Sequence, residues 1–460
     1  MLTRRHFLVA SVAGLTACSQ PRLLLRKNVS GTSQQHYTLV AREAPISIVP
    51  GTTSPGMAFN GGYPAPIIRV KQNEPVRIDF INQLKEPSTV HWHGIRIDNR
   101  MDGVPHLTQQ PVMPGEQFSY EFICPDAGTF WYHPHINSLQ QLGRGLTGLL
   151  IVEEATPTKY QTDICVEMRD WHIADDGNFL PMSNPRQAAR MGTLGNVKTI
   201  NAKDKPVIEV PAGQLTRLRL ANIDNTRVYT VSLKNYPAQK IALDGFALRE
   251  TRVIDDEALG AGMRMDLGLV APTTVGEETI VYDKKGRLYF ELFRLRTVPS
   301  DKPAFTGSIP ALPAHTIAVP DINNAEEKNF VFEWAGAVSP ADSDGNVKSE
   351  FWTINKRAWP GDSHDHLPEP LAILERGKTY IFNLHNATPH HHPIHMHGYG
   401  FTVLASDKRA IKPYQADTIL LQRNERARIA FVADNPGRWM YHCHVIEHMM
   451  TGLMGYITVV

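Results

Sequence analysis

The sequence has only four cysteines among its 460 residues: Cys18, Cys124, Cys165 and Cys443. They are too few and too widely spaced for a disulfide framework or for the Cys-x-x-Cys pairs of a zinc site. An excess of one charge is also missing, because 47 lysines and arginines face 46 aspartates and glutamates, a net charge of +1. The strongly positive field of a nucleic-acid binder is therefore absent, and no nucleic acid is expected as a partner.

Long apolar runs are missing as well. After residue 17 no stretch approaches the ~18 apolar residues of a transmembrane helix. Glycine and proline, 33 of each, are spread along the chain instead of forming a collagen-like repeat. This distribution favours many short strands joined by turns over long helices or a coiled coil. The length of 460 residues is enough for several domains.

The first 17 residues have the pattern of an export signal. Arg4 and Arg5 precede an apolar run, Phe7 to Ala17, that is too short to span a bilayer. The arginine pair resembles the twin-arginine signal, which implies the twin-arginine translocase as a partner and an exported location such as the periplasm. Residues 15–18 resemble a lipobox, in which Cys18 would carry a lipid anchor. The alternative is an ordinary cleavage site with a chance cysteine.

Histidine is the unusual residue of this sequence, with 20 copies. A random arrangement of 20 histidines would give about one His-x-His pair. Six such pairs occur: His91 and His93, His133 and His135, His364 and His366, His390 and His392, His395 and His397, and His442 and His444. In a β-strand, residues i and i+2 point to the same face, so each pair would present two imidazoles side by side. This spacing is typical of metal ligands in β-structure.

One segment near the start of the chain recurs near its end. Residues 127–135 (AGTFWYHPH) align with residues 436–444 (PGRWMYHCH), and His91-Trp-His-Gly aligns with His395-Met-His-Gly. Residues 207–233 repeat the strand pattern without the histidine pairs. We therefore expect three all-β units, of which the first and third hold metal.

Connecting segments support the same division. Residues 153–158 (EEATPT) follow the first unit, and residues 299–320 contain five prolines, which indicate an extended connection. We place the three predicted domains at residues 36–156, 160–308 and 326–460. Each has the normal size of a β-sandwich.

These residues resemble the copper motifs of the three-domain multicopper oxidases, the family of laccases, ascorbate oxidase and bacterial cuprous oxidases. Four motifs stand in order: His91-Trp-His93-Gly, His133-Pro-His135, His392-Pro-Ile-His395-Met-His397 and His442-Cys443-His444-Val-Ile-Glu-His448. The resemblance covers essentially the whole chain after the signal. It implies three cupredoxin-like Greek-key β-sandwich domains, four copper ions, and oxidation of a donor with O2 as the electron acceptor.

The resemblance also implies a role for each ligand. Cys443, His392 and His448 would hold the type 1 (blue) copper, and Leu453, ten residues after the cysteine, would occupy its axial position without ligating. The remaining ligands would bind a trinuclear cluster between domains 1 and 3: His91 and His395 the type 2 ion, His93, His133 and His444 one type 3 ion, and His135, His397 and His442 the other.

An acidic residue near the type 2 copper is a further feature of the family, and Asp102 matches it. We predict that Asp102 relays protons or supports a copper ligand; an Asp-Gly turn is the simpler alternative, and both readings are compatible. Many bacterial members carry a second acid directly after the last histidine of the fourth motif. That position is Met449 here, and Glu447 lies on the other side of His448, which puts the second relay in doubt.

The other candidates leave alternatives open. The residues around His364 and His366 have the composition of a loop, which favours a solvated loop over a labile metal site. His390 and His391 precede a ligand and could contact the donor. Cys124 and Cys165 could form a disulfide or remain two free thiols. Trp92, Trp131 and Trp439 are expected in the core.

The electron donor is the least determined feature. Cuprous oxidases of the family carry a methionine-rich segment, because thioethers select Cu(I), but this chain has no methionine between Met265 and Met396. The carboxylate and methionine that those enzymes place ahead of the blue-copper histidine are Thr388 and His390 here. A phenol or aromatic amine is slightly favoured over Cu(I), Fe(II) or Mn(II). A non-catalytic copper-binding protein is the alternative of another class, and a monomer is expected.

Overall fold

The computed structural model describes residues 35–234, 236–336, 350–360 and 367–460. The predicted export signal with Arg4 and Arg5, the lipobox cysteine Cys18, and the loop histidines His364 and His366 lie outside these ranges. Within them, no helix is long and apolar enough to cross a membrane.

The first unit is a sandwich of two four-stranded sheets. Alternating burial shows why its strands form: in Pro75–Asn82 the side chains of Val76, Ile78 and Phe80 are buried, and those between them are partly exposed. The strands are β1 (Gln35–Ile46), β2 (Ser54–Phe59), β3 (Ile68–Lys71), β4 (Pro75–Asn82), β5 (His91–His93), β6 (Gln117–Ile123), β7 (Gly128–His133) and β8 (Gly148–Glu153). The sheets have the strand orders β2-β1-β4-β6 and β3-β8-β7-β5. A short 3-10 helix (Asn99–Met101) and helix α1 (Ser138–Gly143) lie between strands.

The second unit pairs a six-stranded with a five-stranded sheet. Its strands are β9 (Thr162–Trp171), β10 (Val197–Ile200), β11 (Val207–Pro211), β12 (Leu215–Asn222), β13 (Tyr229–Ser232), β14 (Gln239–Leu243), β15 (Phe246–Val253), β16 (Glu257–Leu259), β17 (Arg264–Val270), β18 (Glu278–Lys285) and β19 (Leu288–Val298). The sheet orders are β10-β9-β12-β17-β14-β15 and β11-β19-β18-β13-β16. Helix α2 (Pro185–Ala188) lies in the connection between β9 and β10.

The third unit again pairs six strands with five. Its strands are β20 (Glu326–Trp334), β21 (Trp352–Ile354), β22 (Ala372–Leu374), β23 (Thr379–Asn386), β24 (His392–Met396), β25 (Phe401–Ser406), β26 (Tyr414–Ala416), β27 (Thr418–Leu421), β28 (Arg426–Val432), β29 (Gly437–Cys443) and β30 (Met454–Val459). The sheet orders are β21-β20-β23-β28-β25-β26 and β22-β30-β29-β24-β27. Helix α3 (Ile446–Met450) lies between β29 and β30.

The same strand pairing recurs in all three units. Each sheet of each unit contains one parallel pair: β1 with β4 and β3 with β8, β9 with β12 and β11 with β19, β20 with β23 and β22 with β30. The predicted all-β fold of three sandwiches is confirmed. The domain limits 36–156, 160–308 and 326–460 stay predictions.

Each unit buries its own apolar core, and a further apolar cluster joins the units. Trp92 lies in the first core, Trp439 in the third, and Trp131 in the joining cluster, all three fully buried. The expectation that these tryptophans are core residues is confirmed.

Cys124 is buried in the first core and Cys165 is half-buried beside Arg69, and both are free thiols. The structure therefore follows the alternative of two reduced cysteines.

Glu167 on β9 is a buried carboxylate with an unfavourable environment. Its side chain is almost completely buried, and neither carboxylate oxygen has a hydrogen-bond partner among the described residues. Burial raises the pKa of Glu167 to about 8, although the nearby Arg169 opposes the shift. Because the folded protein holds the proton more tightly than the unfolded chain, Glu167 should make stability fall as pH rises from about 4.5 towards 8.

Glu167→Gln should remove this loss of stability. At pH 5 the variant and the parent should unfold with nearly equal free energies, because the carboxyl is then largely protonated in the folded state. At pH 8.5 the variant should be more stable by about 1–3 kcal/mol, the usual cost of an uncompensated buried polar group. Urea unfolding at both pH values measures the difference. An equal difference at both pH values would contradict the assignment.

Candidate metal centre

The histidine pairs lie on neighbouring strands, as their spacing predicts. In the first unit β5 pairs with β7, which places His91 opposite His133. In the third unit β24 pairs with β29, which places His395 opposite His442. All eight cluster histidines are at least 98% buried: His91, His93, His133, His135, His395, His397, His442 and His444.

The two units bring these rings together across their boundary. The ring centroids of His91 and His397 are 3.7 Å apart, and those of His93 and His395 are also 3.7 Å apart. The predicted position of the cluster, between the first and third units, therefore agrees with the geometry. None of the described residues between 160 and 308 belongs to a group of side chains close enough to hold a metal.

The rings form smaller groups that overlap the predicted sets without reproducing all of them, since the ligand atoms of His91, His93 and His133 also lie within 4.8 Å of one another. The ligand atoms of His135, His397 and His442 lie within 4.8 Å of one another, and those of His91 and His395 belong to another such group with His397. The third predicted set has ring centroids 4.9 to 5.9 Å apart: His93, His133 and His444. Each group contains residues from both units.

Unpartnered ring nitrogens test whether metal fits here. A buried polar atom without a partner is costly, and a metal ion would satisfy it. Among the described residues of the cluster, the unpartnered ring nitrogens are Nε2 of His91, His133, His135 and His395, Nδ1 of His93, and both nitrogens of His444. The Nε2 atoms of His397 and His442 face each other at 3.1 Å. Imidazole donors of this kind are compatible with copper.

A second group of donors lies in the third unit alone. Cys443 Sγ is 3.5 Å from His392 Nδ1 and 3.6 Å from His448 Nδ1, and the two nitrogens are 3.1 Å apart. One thiol and two imidazoles, all fully buried, form the donor set of a blue-copper site. His442 and His444 flank Cys443, so the chain itself connects this site to the histidine cluster.

Comparison with known proteins decides the family. Sequence profiles described as multicopper oxidase match residues 41–157 and 337–460, which together make up more than half of the chain. The chain is a multicopper oxidase. It shares 42% identity with the crystal structure of a multicopper oxidase from Pseudomonas thermotolerans, with a TM-score of 0.87 and coverage of 94% of this chain and 100% of the other.

Two further relatives agree with this assignment. A multicopper oxidase structure from Pseudomonas parafulva is 44% identical, with a TM-score of 0.82 and coverage of 92% and 100%. The multicopper oxidase mco of Staphylococcus aureus is 27% identical and covers 98% of this chain and 94% of its own. As a member of the family, the oxidase has cupredoxin-like domains, uses O2, and binds four coppers: one type 1, one type 2 and two type 3.

Burial favours the neutral, metal-binding form of nine ligand imidazoles in the oxidase. Burial is the main cause that lowers the pKa well below the ordinary imidazole value in His93, His133, His135, His392, His397, His442 and His444. Burial also lowers the pKa of His395, and that of His448 to about 3. Burial raises the pKa of the Cys443 thiol, so its deprotonation is expected to accompany metal binding.

Asp102 lies between two cluster histidines. Its Oδ2 accepts a hydrogen bond from His397 Nδ1 at 2.9 Å, its backbone carbonyl accepts one from His91 Nδ1 at 2.8 Å, and its Oδ1 is 3.3 Å from that nitrogen. These contacts fix the ring orientation from the side away from the metal. The predicted support of a ligand fits this geometry, and the proton-relay role stays a prediction.

Glu447 faces away from the cluster. It accepts hydrogen bonds from Ser183 and Thr193 of the second unit. The doubt about a second relay near His448 therefore has a structural reason, because this carboxylate is already engaged in a contact between units.

Asp417 is a cluster residue that the sequence did not predict. Its Oδ1 is 3.2 Å from His93 Nε2, and its backbone carbonyl accepts a hydrogen bond from His395 Nδ1 at 3.0 Å. Burial alone would raise the pKa of Asp417, but the guanidinium of Arg264, 2.6 Å away, and the His395 ring hold it below the ordinary range. No sequence signal distinguishes Asp417 from any other aspartate that precedes a strand.

Leu453 is the residue predicted for the axial position of the type 1 site, and that role stays a prediction. It is fully buried in the same apolar core as Cys443, and its carbonyl accepts a hydrogen bond from the Cys443 amide at 3.0 Å. Met449, Met450 and Met454 are the other candidates that the sequence offers near the type 1 site. All three pack in or against the cluster that joins the units, whereas Leu453 shares a core with Cys443, which favours Leu453.

Leu453→Met is expected to lower the potential of the blue copper by on the order of 100 mV, because a thioether in the axial position stabilises Cu(II). Redox titration of the blue absorption band measures this change. Met454→Leu is the matched control and should leave the potential unchanged. The opposite pattern would show that Met454 is the axial residue.

Proposed function

We propose that this multicopper oxidase is laccase-like and oxidises phenols or aromatic amines. In the balanced reaction, four phenols each lose one electron and one proton to give four phenoxyl radicals, and O2 takes up four electrons and four protons to give two waters. Bound copper supplies the one-electron chemistry that links the two half-reactions.

We assign the ligands as the sequence predicted. Cys443, His392 and His448 would hold the type 1 copper, and the eight other histidines would hold the type 2 and type 3 ions in the three groups described above. Asp102 and Asp417 hold the ligand rings in position, and the complete burial of both donor sets excludes bulk water. The place of the reaction stays a prediction from residues 1–18.

The charge around the type 1 histidines supports an organic donor over a metal cation. His390 and His391 are half-buried beside His392, and the pKa of each is lowered by burial and by the nearby Arg423. Arg190 also lowers the pKa of His390. Arg423 and Arg190 therefore place positive charge near His390, which repels metal cations.

Among the described residues near His390 and His391, no free carboxylate offers a site for a metal cation. Glu425 is fully buried and accepts hydrogen bonds from Ser406 and Arg409, and Glu447 is held by the second unit. The position that cuprous oxidases fill with a carboxylate is Thr388, whose hydroxyl accepts a hydrogen bond from His392 Nε2 at 2.8 Å. Every metal-binding group in the described part of the chain belongs to the copper centres.

Oxygen uptake across a donor panel tests the proposal. We expect a larger kcat/KM for 2,6-dimethoxyphenol than for Cu(I), Fe(II) or Mn(II). Among phenols of equal size, an anionic one such as 4-hydroxybenzoate should be preferred over a cationic one such as tyramine.

One substitution tests the preference for anionic phenols separately. Arg423→Gln should reduce the preference for the anionic phenol by about two- to fivefold, the effect of one exposed charge, whereas Lys408→Gln on the turn after β25 should not change it. A metal ion that is oxidised faster than every phenol would overturn the proposal.

A further inference from the structure

A segment of the second unit covers the type 1 site of the third. We call residues 181–195 the strap; it connects β9 to β10 and contains α2. The carbonyl of Arg190 in the strap accepts a hydrogen bond from His448 Nε2 at 3.0 Å. The indole of Trp352, whose ring lies 4.5 Å from that of His448, donates to the carbonyl of Ala188 at 2.9 Å.

One carboxylate fastens both ends of the strap. Glu447 Oε1 accepts hydrogen bonds from the hydroxyls of Ser183 at 2.6 Å and Thr193 at 2.8 Å, and Oε2 accepts one from the Thr193 amide. The Asn184 amide donates to the Thr193 hydroxyl at 2.9 Å, which ties the two ends to each other. Charge-assisted hydrogen bonds of this kind are about twice as strong as neutral ones.

The inner face of the strap fits closely against the third unit. Ala188 is buried in the third core. Gly192 has φ +87°, and a Cβ there would lie 2.9 Å from Val445 Cγ1 and 2.6 Å from Thr226 Cγ2, so a larger residue would push the strap outwards. The outer face is exposed, with Met191 and Leu194 facing solvent.

Among the residues that the structure describes, the strap leaves the type 1 histidines without direct access from solvent. His392 and His448 are both fully buried, and the ring nitrogen of His448 that points away from Cys443 is occupied by the Arg190 carbonyl. A donor must therefore approach at the edge of the strap, beside the half-buried His390. Small donors fit such an edge better than bulky ones.

We propose that the strap limits the size of the electron donor, and that Glu447 is a specificity-determining residue because it holds the strap in position. The proposal rests on the laccase-like function for its choice of donors. Glu447 touches neither donor nor copper in this scheme and acts only through the strap.

Variants that weaken the hydrogen bonds between Glu447 and the strap should change the selectivity for donor size. In Glu447→Gln and Ser183→Ala, kcat/KM for a bulky phenol such as a biphenol should rise relative to 2,6-dimethoxyphenol by about tenfold, the lower end of what steric misfit in a pocket produces. Ser183→Ala removes a single hydrogen bond from a partly exposed residue, so folding should persist. Glu375→Gln, at an exposed carboxylate of the same unit, should leave the ratio unchanged.

A second measurement uses the copper-free protein. Diethyl pyrocarbonate acylates accessible imidazoles, and mass spectrometry locates the modified residues. His448 should be protected in the parent and modified in both strap variants, while the half-buried His390 and His391 react in all forms and serve as internal controls.

The proposal requires both the change in the ratio of kcat/KM values and the modification of His448 in the variants. If His448 stays protected in the variants, or if the ratio of kcat/KM values stays at the parent value, the strap only joins the units and the proposal is wrong. If the parent oxidises no phenol but His448 becomes accessible in the variants, the laccase-like function fails while the covering role of the strap stands, and size selection is then overturned.

Discussion

Cys443→Ser is expected to abolish the intense thiolate-to-copper absorption at about 600 nm and to lower the copper content from four ions per chain towards three. The thiolate is the source of that band, and a serine hydroxyl does not replace it. Oxygen uptake should fall by more than about 100-fold, because even residues that only support a ligand cost 10- to 100-fold when they are changed.

The histidine cluster should survive this substitution. Its eight imidazoles come from two units and none of them uses the Cys443 side chain, so the type 2 and type 3 ions should remain bound. Copper analysis and electron paramagnetic resonance measure both outcomes. Cys165→Ser is the matched control, since Cys165 is a free thiol that contacts Arg69 and no copper ligand. A blue Cys443→Ser protein would contradict the ligand assignment.

Strand geometry made part of the metal centre predictable from the sequence, namely the side-by-side imidazoles of each His-x-His pair, whereas the role of each ligand came from the family resemblance. Alternation places His442 and His444 on one face and Cys443 on the other, and the internal repeat of residues 127–135 in 436–444 pairs the two metal-binding units. The relative orientation and spacing of these side chains follow from period two, whereas their burial depends on how the sheets and units pack. The axial position of Leu453 came from the spacing that the family shows and stays a prediction.

The contributions of the second unit could not be predicted in this way. The strap contacts Glu447 across more than 250 residues of sequence, and Arg264 contacts Asp417 across 153. Such contacts depend on how three domains pack, and no repeat or spacing records that packing. The charged residues of β12 and β17 alternate like those of any half-exposed strand, so the complete burial of Arg264 had no local signal.

The second unit therefore does more than separate the two copper-binding units. Arg264 on β17 donates to the carbonyl of Thr129 in the first unit at 3.0 Å and to both carboxylate oxygens of Asp417 in the third, at 3.0 and 2.6 Å. Gly94, directly after His93, has φ +87°, and a Cβ there would lie 2.3 Å from Asp417 Oδ2. The glycine makes room for this ion pair at the edge of the cluster.

Arg264→Met should destabilise the protein by about 3–5 kcal/mol, because it leaves the charge of Asp417 buried without its partner. Copper content should also fall, since Asp417 then holds the His93 ring less firmly. Urea unfolding of the copper-free protein measures the first effect and copper analysis measures the second. Arg296→Gln, which breaks an exposed ion pair with Glu278 in the same unit, should change the unfolding free energy by less than about 1 kcal/mol.

The double variant Arg264→Met with Asp417→Leu separates the two roles of the ion pair. Removal of both charges should restore part of the stability that the single change costs, because the charge of Asp417 is no longer buried without a partner and only Asp244, 3.6 Å from Arg264, loses its ion pair. Copper affinity should not recover, because the double variant removes the Asp417 oxygen and leaves His93 Nε2 only the longer contact, 3.4 Å, with the Thr418 hydroxyl. Recovery of copper binding together with stability would mean that Asp417 only balances the charge of Arg264 and does not position the histidine.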